Sequence, residues 1–238
     1  MSETTNKESS YNLSSKRICY ICGVRPANTK DHLFPECLFP KPIPSNLPAR
    51  LPACRQCNNN LSKDEELFRV FVASGMAYER QAGFRIWTES IRPDLQGKRR
   101  GLKRLLKSLT KIVPVISKSG GFLGQAGILE IQRQPIQRVL YKIAKGLYFL
   151  DTNQVLPDDV EILADYFDKP EGLVSPPLDE AIKDAKKFAY GNGVITYWRN
   201  TVKDDPTASL TWLLFYEDKA FLICTFRQET LEAVNEVS

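Results

Sequence analysis

Histidine is almost absent from this chain, with one residue, His32, among 238. Any imidazole chemistry therefore rests on a single side chain. Long apolar runs are missing too. No stretch approaches the roughly 18 to 20 consecutive apolar residues of a spanning helix, and the first seventeen residues, MSETTNKESSYNLSSKR, hold nothing that can serve as a signal-peptide core. They read as a disordered tail, 1–17, and the protein as cytoplasmic with no membrane partner. The second half, 119–238, has no histidine, no nucleophile motif and no glycine-rich phosphate loop, so it ranks last as a place for catalysis. No internal repeat is present, which excludes solenoids.

What is there begins with cysteine. In a cytosolic chain of this size six cysteines are poor material for a disulfide framework, because the compartment keeps thiols reduced. Metal ligation is the leading use. Cys19 and Cys22 form one CxxC and Cys54 and Cys57 a second, and such a pair of knuckles suits a tetrahedral Zn(Cys)4 site. Between them Pro26, Pro35, Pro40, Pro42, Pro44, Pro48 and Pro52 exclude a long helix. The bond energy of the metal replaces the core that this segment lacks. Cys37 reads as a small buried apolar residue more than a spare ligand, and Cys224 as core.

Past Cys57 the pattern turns helical, with Leu61, Leu67, Phe68, Phe71 and Val72 at helical spacing. Asp64, Glu65 and Glu66 read as early acids complementing the helix N-terminus. Residues 76–92 continue helically, and GKRRGLKRLLKSLTKIV, 97–113, predicts an amphipathic basic helix with Leu102, Leu105, Leu106, Leu109 and Ile112 on one face. Its cations either snorkel over the core or contact phosphates. SGGFLG, 119–124, marks a loop. GILEIQ predicts a strand, PIQRVLYKIAKGLYFL (135–150) a helix with proline in its first turn, VEILADYF a strand, and PLDEAIKDAKKFAY (177–190) a helix. GVITYWRNTV, ASLTWLLFY and KAFLICTF predict an antiparallel meander. The fold class is therefore α+β. Charge divides unevenly: residues 1–118 hold 21 Lys/Arg against 10 Asp/Glu, and 119–238 hold 12 against 18, so a half at +11 precedes one at −6. The basic half favours a polyanionic partner.

Asp31, His32 and Asn58 are the residue types that metal-assisted phosphodiester hydrolysis needs. Carboxylate and amide oxygens are hard ligands for Mg²⁺ or a similar ion, and a neutral imidazole takes a proton from water. The order CxxC, DH, CxxCN, carried by CYICG, TKDHLFPECLFPKPIPSNL and LPACRQCNNNLSKDEELF, resembles the HNH endonucleases, the ββα-metal nucleases built on a treble-clef zinc finger, and their endonuclease VII branch in particular. The resemblance covers residues 18–72. It implies His32 as general base, Asp31 and Asn58 as ligands of a catalytic Mg²⁺ or Mn²⁺, Cys19, Cys22, Cys54 and Cys57 as ligands of a structural Zn²⁺, and Asn46 as the residue that holds the imidazole by its backbone. Asn46 stands farther from the second knuckle than the family pattern has it.

The resulting organisation is an HNH zinc domain at 18–75, a helical basic connector at 76–118 and a C-terminal α+β domain with an antiparallel sheet at 119–238. The expected partner is DNA, double-stranded in the first instance, with RNA the runner-up; the C-terminal domain is open to homo-oligomer formation. The competing reading is a non-catalytic zinc module that binds nucleic acid or protein, which leaves the Asp-His-Asn set without a purpose.

Overall fold

The computed structural model describes residues 17–74, 81–98, 100–167, 183–217 and 219–229. The chain is α+β, its strands forming three antiparallel sheets. Residues 1–16 of the expected tail lie outside the described residues.

The cysteine knuckle at 19–22 is closed by the Gly23 N–H, which donates to the Cys19 carbonyl at 2.9 Å. β1 (Thr29–Asp31) and β2 (Leu51–Ala53) pair with Thr29 opposite Ala53 and Asp31 opposite Leu51. The proline-punctuated excursion between them carries only a single 3-10 turn, Glu36–Leu38, as its composition dictates. α1 (Arg55–Val72) follows at once. It starts inside the second CxxC, because Cys54 takes the N-cap position and its sulfur accepts the Cys57 N–H.

Beyond α1 come α2 (Gln81–Ile86), two π-helical segments (Trp87–Ile91 and Asp94–Lys98) and α3 (Arg100–Leu109). α3 is amphipathic as expected, with Leu102 and Leu106 buried and Lys103, Arg104 and Lys107 exposed. It ends at Leu109, short of the predicted 113. Thr110–Ile116 is rich in β-branched residues and interrupted by Pro114, which a helix interior does not accept. This segment is β3 (Thr110–Ile116), paired with β4 (Phe122–Leu129). The connector is thus not helical throughout, the expected loop at 119–124 is partly strand, and Ile112 is 63% exposed instead of facing the core.

α4 (Arg133–Thr152) carries Pro135 in its first turn and stops at Asn153, whose φ of 56° lies in the left-handed region. β5 (Val160–Phe167), β6 (Lys186–Tyr190), β7 (Ile195–Val202), β8 (Asp205–Phe215) and β9 (Lys219–Arg227) form one sheet in the order β5-β9-β8-β7-β6. The strand at 160–167 and the meander match the sequence reading. The helix expected over 177–190 does not extend to its end: Lys186–Tyr190 pair with β7, and 177–182 lie outside the described residues.

One face of the sheet carries Tyr197, Leu213, Phe215, Phe221 and Ile223, all buried. It meets Phe34 and Phe68 from the N-terminal part, with ring centroids 5.3 Å apart for Phe68–Phe215, 5.4 Å for Phe68–Phe221 and 5.9 Å for Phe34–Tyr197. Buried residues from Cys19 to Ile223 form one cluster. The expected boundary at 118/119 does not separate two cores.

Candidate metal centre and candidate active site

Cys19, Cys22, Cys54 and Cys57 bring their sulfurs within 4.8 Å of one another. Zinc–sulfur bonds of about 2.3 Å at tetrahedral angles put neighbouring sulfurs about 3.8 Å apart, so the donor set fits Zn²⁺. Arg25 donates to the Cys54 sulfur at 3.2 Å and to the Cys57 sulfur at 3.0 Å, and to Gln56 Oε1 at 2.8 Å. Guanidinium donors of this kind favour thiolates and orient them. Burial raises the Cys57 thiol, to about 12, and the Cys19 thiol. For Cys22 burial is outweighed by the backbone N–H groups of Val24 and Arg25, which bring it down to about 6. Four sulfurs this close cannot all ionise without a cation among them. Cys37 stands outside the cluster, its thiol 3.7 Å from the Glu65 carbonyl and pushed up to about 12 by burial.

Beside the cluster, Arg25, Pro26, Asn28, Cys54, Arg55, Gln56 and Asn59 line a cavity of about 460 Å³ at the start of α1. Asn28 Oδ1 accepts the Arg55 N–H at 2.8 Å and ties this end of α1 to β1.

Asp31 and His32 stand at the end of β1, and the environment separates them sharply. Asp31 is 5% exposed. Its Oδ2 accepts from the Tyr20 hydroxyl at 2.7 Å, and Lys142 Nζ of α4 lies 3.0 Å from Oδ1 and 2.9 Å from Oδ2. The same ammonium reaches Glu65 Oε1 at 2.6 Å. Lys142, itself 2% exposed, thus bridges two carboxylates, and one negative charge is left over. Burial accordingly raises the Glu65 carboxyl above its usual range, against the pull of Lys142. α4 adds Arg138, which makes two bonds to Asp64 at 2.6 and 2.8 Å, and Lys145, which donates to the Ile21 carbonyl at 2.9 Å.

His32 remains half-buried, its Nε2 3.1 Å from Glu36 Oε2. Burial holds the imidazole below its ordinary value and Arg50 adds to the effect, against Glu36 and Asp31. A neutral ring results near pH 7. A carboxylate only accepts, so Nε2 carries the hydrogen and the lone pair sits on Nδ1.

Asn58 lies in the first turn of α1, half-buried, seven residues before Glu65 and hence on the same helical face. Asn46 Oδ1 accepts the Gly191 N–H at 3.2 Å, at the turn before β7. Asp64, Glu65 and Glu66 sit in the third turn of α1 or beyond, and the first two are partners of α4 instead of helix-end acids.

The residues that sequence reasoning missed are Lys142, Tyr20, Glu36 and Arg25, while Glu65 was read as a helix-end acid. Only Lys142 left a signal. It falls between Val139 and Gly146 at helical spacing, a cation on the buried stripe of α4. No helix among the described residues is long and apolar enough to cross a membrane. Comparison of the chain with models of known families, with characterised proteins and with solved structures finds no match in any of the three.

Proposed function

We propose that the protein is a zinc-stapled endonuclease of the HNH type, built on a treble-clef finger and hydrolysing phosphodiester bonds in DNA with His32 as general base. The observation that carries this reading is the placement of His32: its Nε2 lies 3.1 Å from Glu36 Oε2, at the end of a strand tied to a helix whose first turn is pinned by four clustered cysteines and carries Asn58. In this reaction Nδ1 takes a proton from water, the water oxygen attacks phosphorus, and the ester oxygen leaves. The exposed Arg55 at the start of α1 offers a cation for a phosphate. The exposed Lys103, Arg104 and Lys107 of α3 add sequence-independent affinity.

A bound Mg²⁺ or Mn²⁺ stabilises charge on the phosphate and the leaving oxygen in such chemistry. Asn58 offers an amide oxygen for it. The Asp31 carboxylate fits that role poorly as it stands, since Lys142 and Tyr20 already engage both of its oxygens. No step is derived through the ion.

That engagement is also the one observation favouring a second reading, a zinc module that grips nucleic acid without cutting it. Incubation of purified protein with labelled duplex and Mg²⁺ or Mn²⁺ tests the two. The first reading expects nicked or cut products that vanish in His32→Ala at unchanged zinc content; equal activity in wild type and variant would sink it.

A further inference from the structure

The β1–β2 hairpin sorts its side chains onto two faces. The register pairs Lys30 with Pro52 and Asp31 with Leu51, and successive residues of a strand point to opposite sides. Asp31 and Leu51 are buried, so Lys30 and Pro52 belong to the outer side. One step beyond the last pair, the same register sets His32 across from Arg50 on that outer side. Side chains directly opposite in this way start about 4.5–5.5 Å apart at Cβ. The imidazole feels the neighbour: after burial, Arg50 is the strongest influence holding it below its ordinary value, against the opposing pull of Glu36 and Asp31.

Arg50 is exposed, and no carboxylate among the described residues pairs with it. In contrast, Lys142 is held between Asp31 and Glu65, Arg25 by two cysteine sulfurs, Arg138 by Asp64 and Lys41 by Glu36. Arg55 stands at the far end of β2, where its N–H meets Asn28. The exposed Lys30, on the same face as Arg50, extends the positive charge along the hairpin. A guanidinium set beside an imidazole without a counter-charge is unfavourable in the free protein. An anion arriving at the pair relieves it.

In phosphodiester hydrolysis the water gives its proton to Nδ1 and its oxygen bonds to phosphorus. The ester oxygen leaves with the bonding pair and takes a proton from solvent. Negative charge gathers on the two non-bridging oxygens as phosphorus becomes five-coordinate. A planar guanidinium meets two such oxygens with two parallel N–H donors, and donors aimed at developing charge rank among the largest contributions to rate. Asp31 is poorly placed to bring a cation to that charge, because Lys142 and Tyr20 already engage both of its oxygens.

We propose that Arg50 is a catalytic residue: its guanidinium grips the non-bridging oxygens of the scissile phosphodiester while His32 activates the water, an assignment that rests on the nuclease reading. The hairpin then presents base and anion clamp as one cross-strand pair.

Single-turnover cleavage and affinity for a labelled duplex, measured together in Mg²⁺ or Mn²⁺, test this on the full zinc-loaded chain. Arg50→Ala is expected to slow cleavage at saturating DNA by about 10²–10³-fold, while affinity falls by about tenfold or less. Arg50→Lys, which keeps the charge but not the fork, is expected to fall between wild type and Arg50→Ala, and added guanidinium ion to restore part of the Arg50→Ala rate. Arg133→Ala, which removes a paired surface cation of α4, is expected to cleave like the wild type. Because His32 is the only histidine, nitrogen-15 labelling of histidine gives one imidazole, whose proton is expected to stay on Nε2 in every variant. A slow Arg50→Ala whose ring has changed tautomer overturns the clamp, since the loss then passes through His32. Cleavage by Arg50→Ala at the wild-type rate overturns it and leaves the nuclease reading standing, whereas absence of cleavage by the wild type overturns both.

Discussion

Lys142 holds a position that few lysines occupy, nearly free of solvent and within 3.0 Å of both Asp31 and Glu65. Removing one member of such a group leaves its partners charged in a poor solvent, which costs about 3–5 kcal/mol, whereas replacing the whole group by neutral isosteres costs far less. Lys142→Met is therefore expected to lower stability in urea by that amount. Adding Asp31→Asn and Glu65→Gln to it is expected to recover most of the loss. Equal stability of wild type and the single variant would show that the bridge contributes nothing. The four cysteines were legible in the sequence because their paired spacing is local and chemically specific. The Lys142 bridge was not, because 111 residues separate it from Asp31 and only the folded chain brings them together. The bond from the Gly191 N–H to Asn46 Oδ1 was hidden for the same reason, since 145 residues lie between its ends.

At the scale of elements, α4 lies close against the β1–β2 hairpin because residue 146 has no side chain. A Cβ there would come within 2.5 Å of Leu33 Cδ1 and 3.0 Å of Leu51 Cδ1. Gly146→Ala gains about 1 kcal/mol of helix propensity but overpacks a buried junction at a cost of about 1–3 kcal/mol. A net loss is expected, read as a lowered melting temperature; a rise would mean that α4 yields freely. The proposed zinc at the four clustered cysteines would tie the hairpin to α1. Cys54→Ser is expected to lose zinc by elemental analysis and to expose the 18–72 amides to exchange, whereas Cys37→Ser retains both. Full zinc in the Cys54 variant would contradict the four-cysteine centre. Periodicity found α1, α3, α4 and the meander strands. It failed at Thr110–Ile116 and Lys186–Tyr190, where short mixed segments carry both periods and strand pairing decides between them.

Across the whole molecule, composition and charge suggested three consecutive parts, but the packing is continuous. Tyr216 of the turn after β8 donates its hydroxyl to the Leu38 carbonyl at 2.6 Å, and Phe34 and Phe68 are shared with the sheet. Sequence patterns report which residues are apolar, not which apolar faces meet, so the union of the halves was not legible. Its consequence is that the five-stranded sheet and α4 act as the platform on which β1 and α1 are set, and with them His32. The claim that this platform serves catalysis is tested most directly by measuring DNA affinity and single-turnover cleavage together, in wild type and His32→Ala of equal zinc content. The account predicts equal affinity, with cleavage by the wild type alone. Tight binding by the wild type with no cleavage in Mg²⁺ or Mn²⁺ would contradict it.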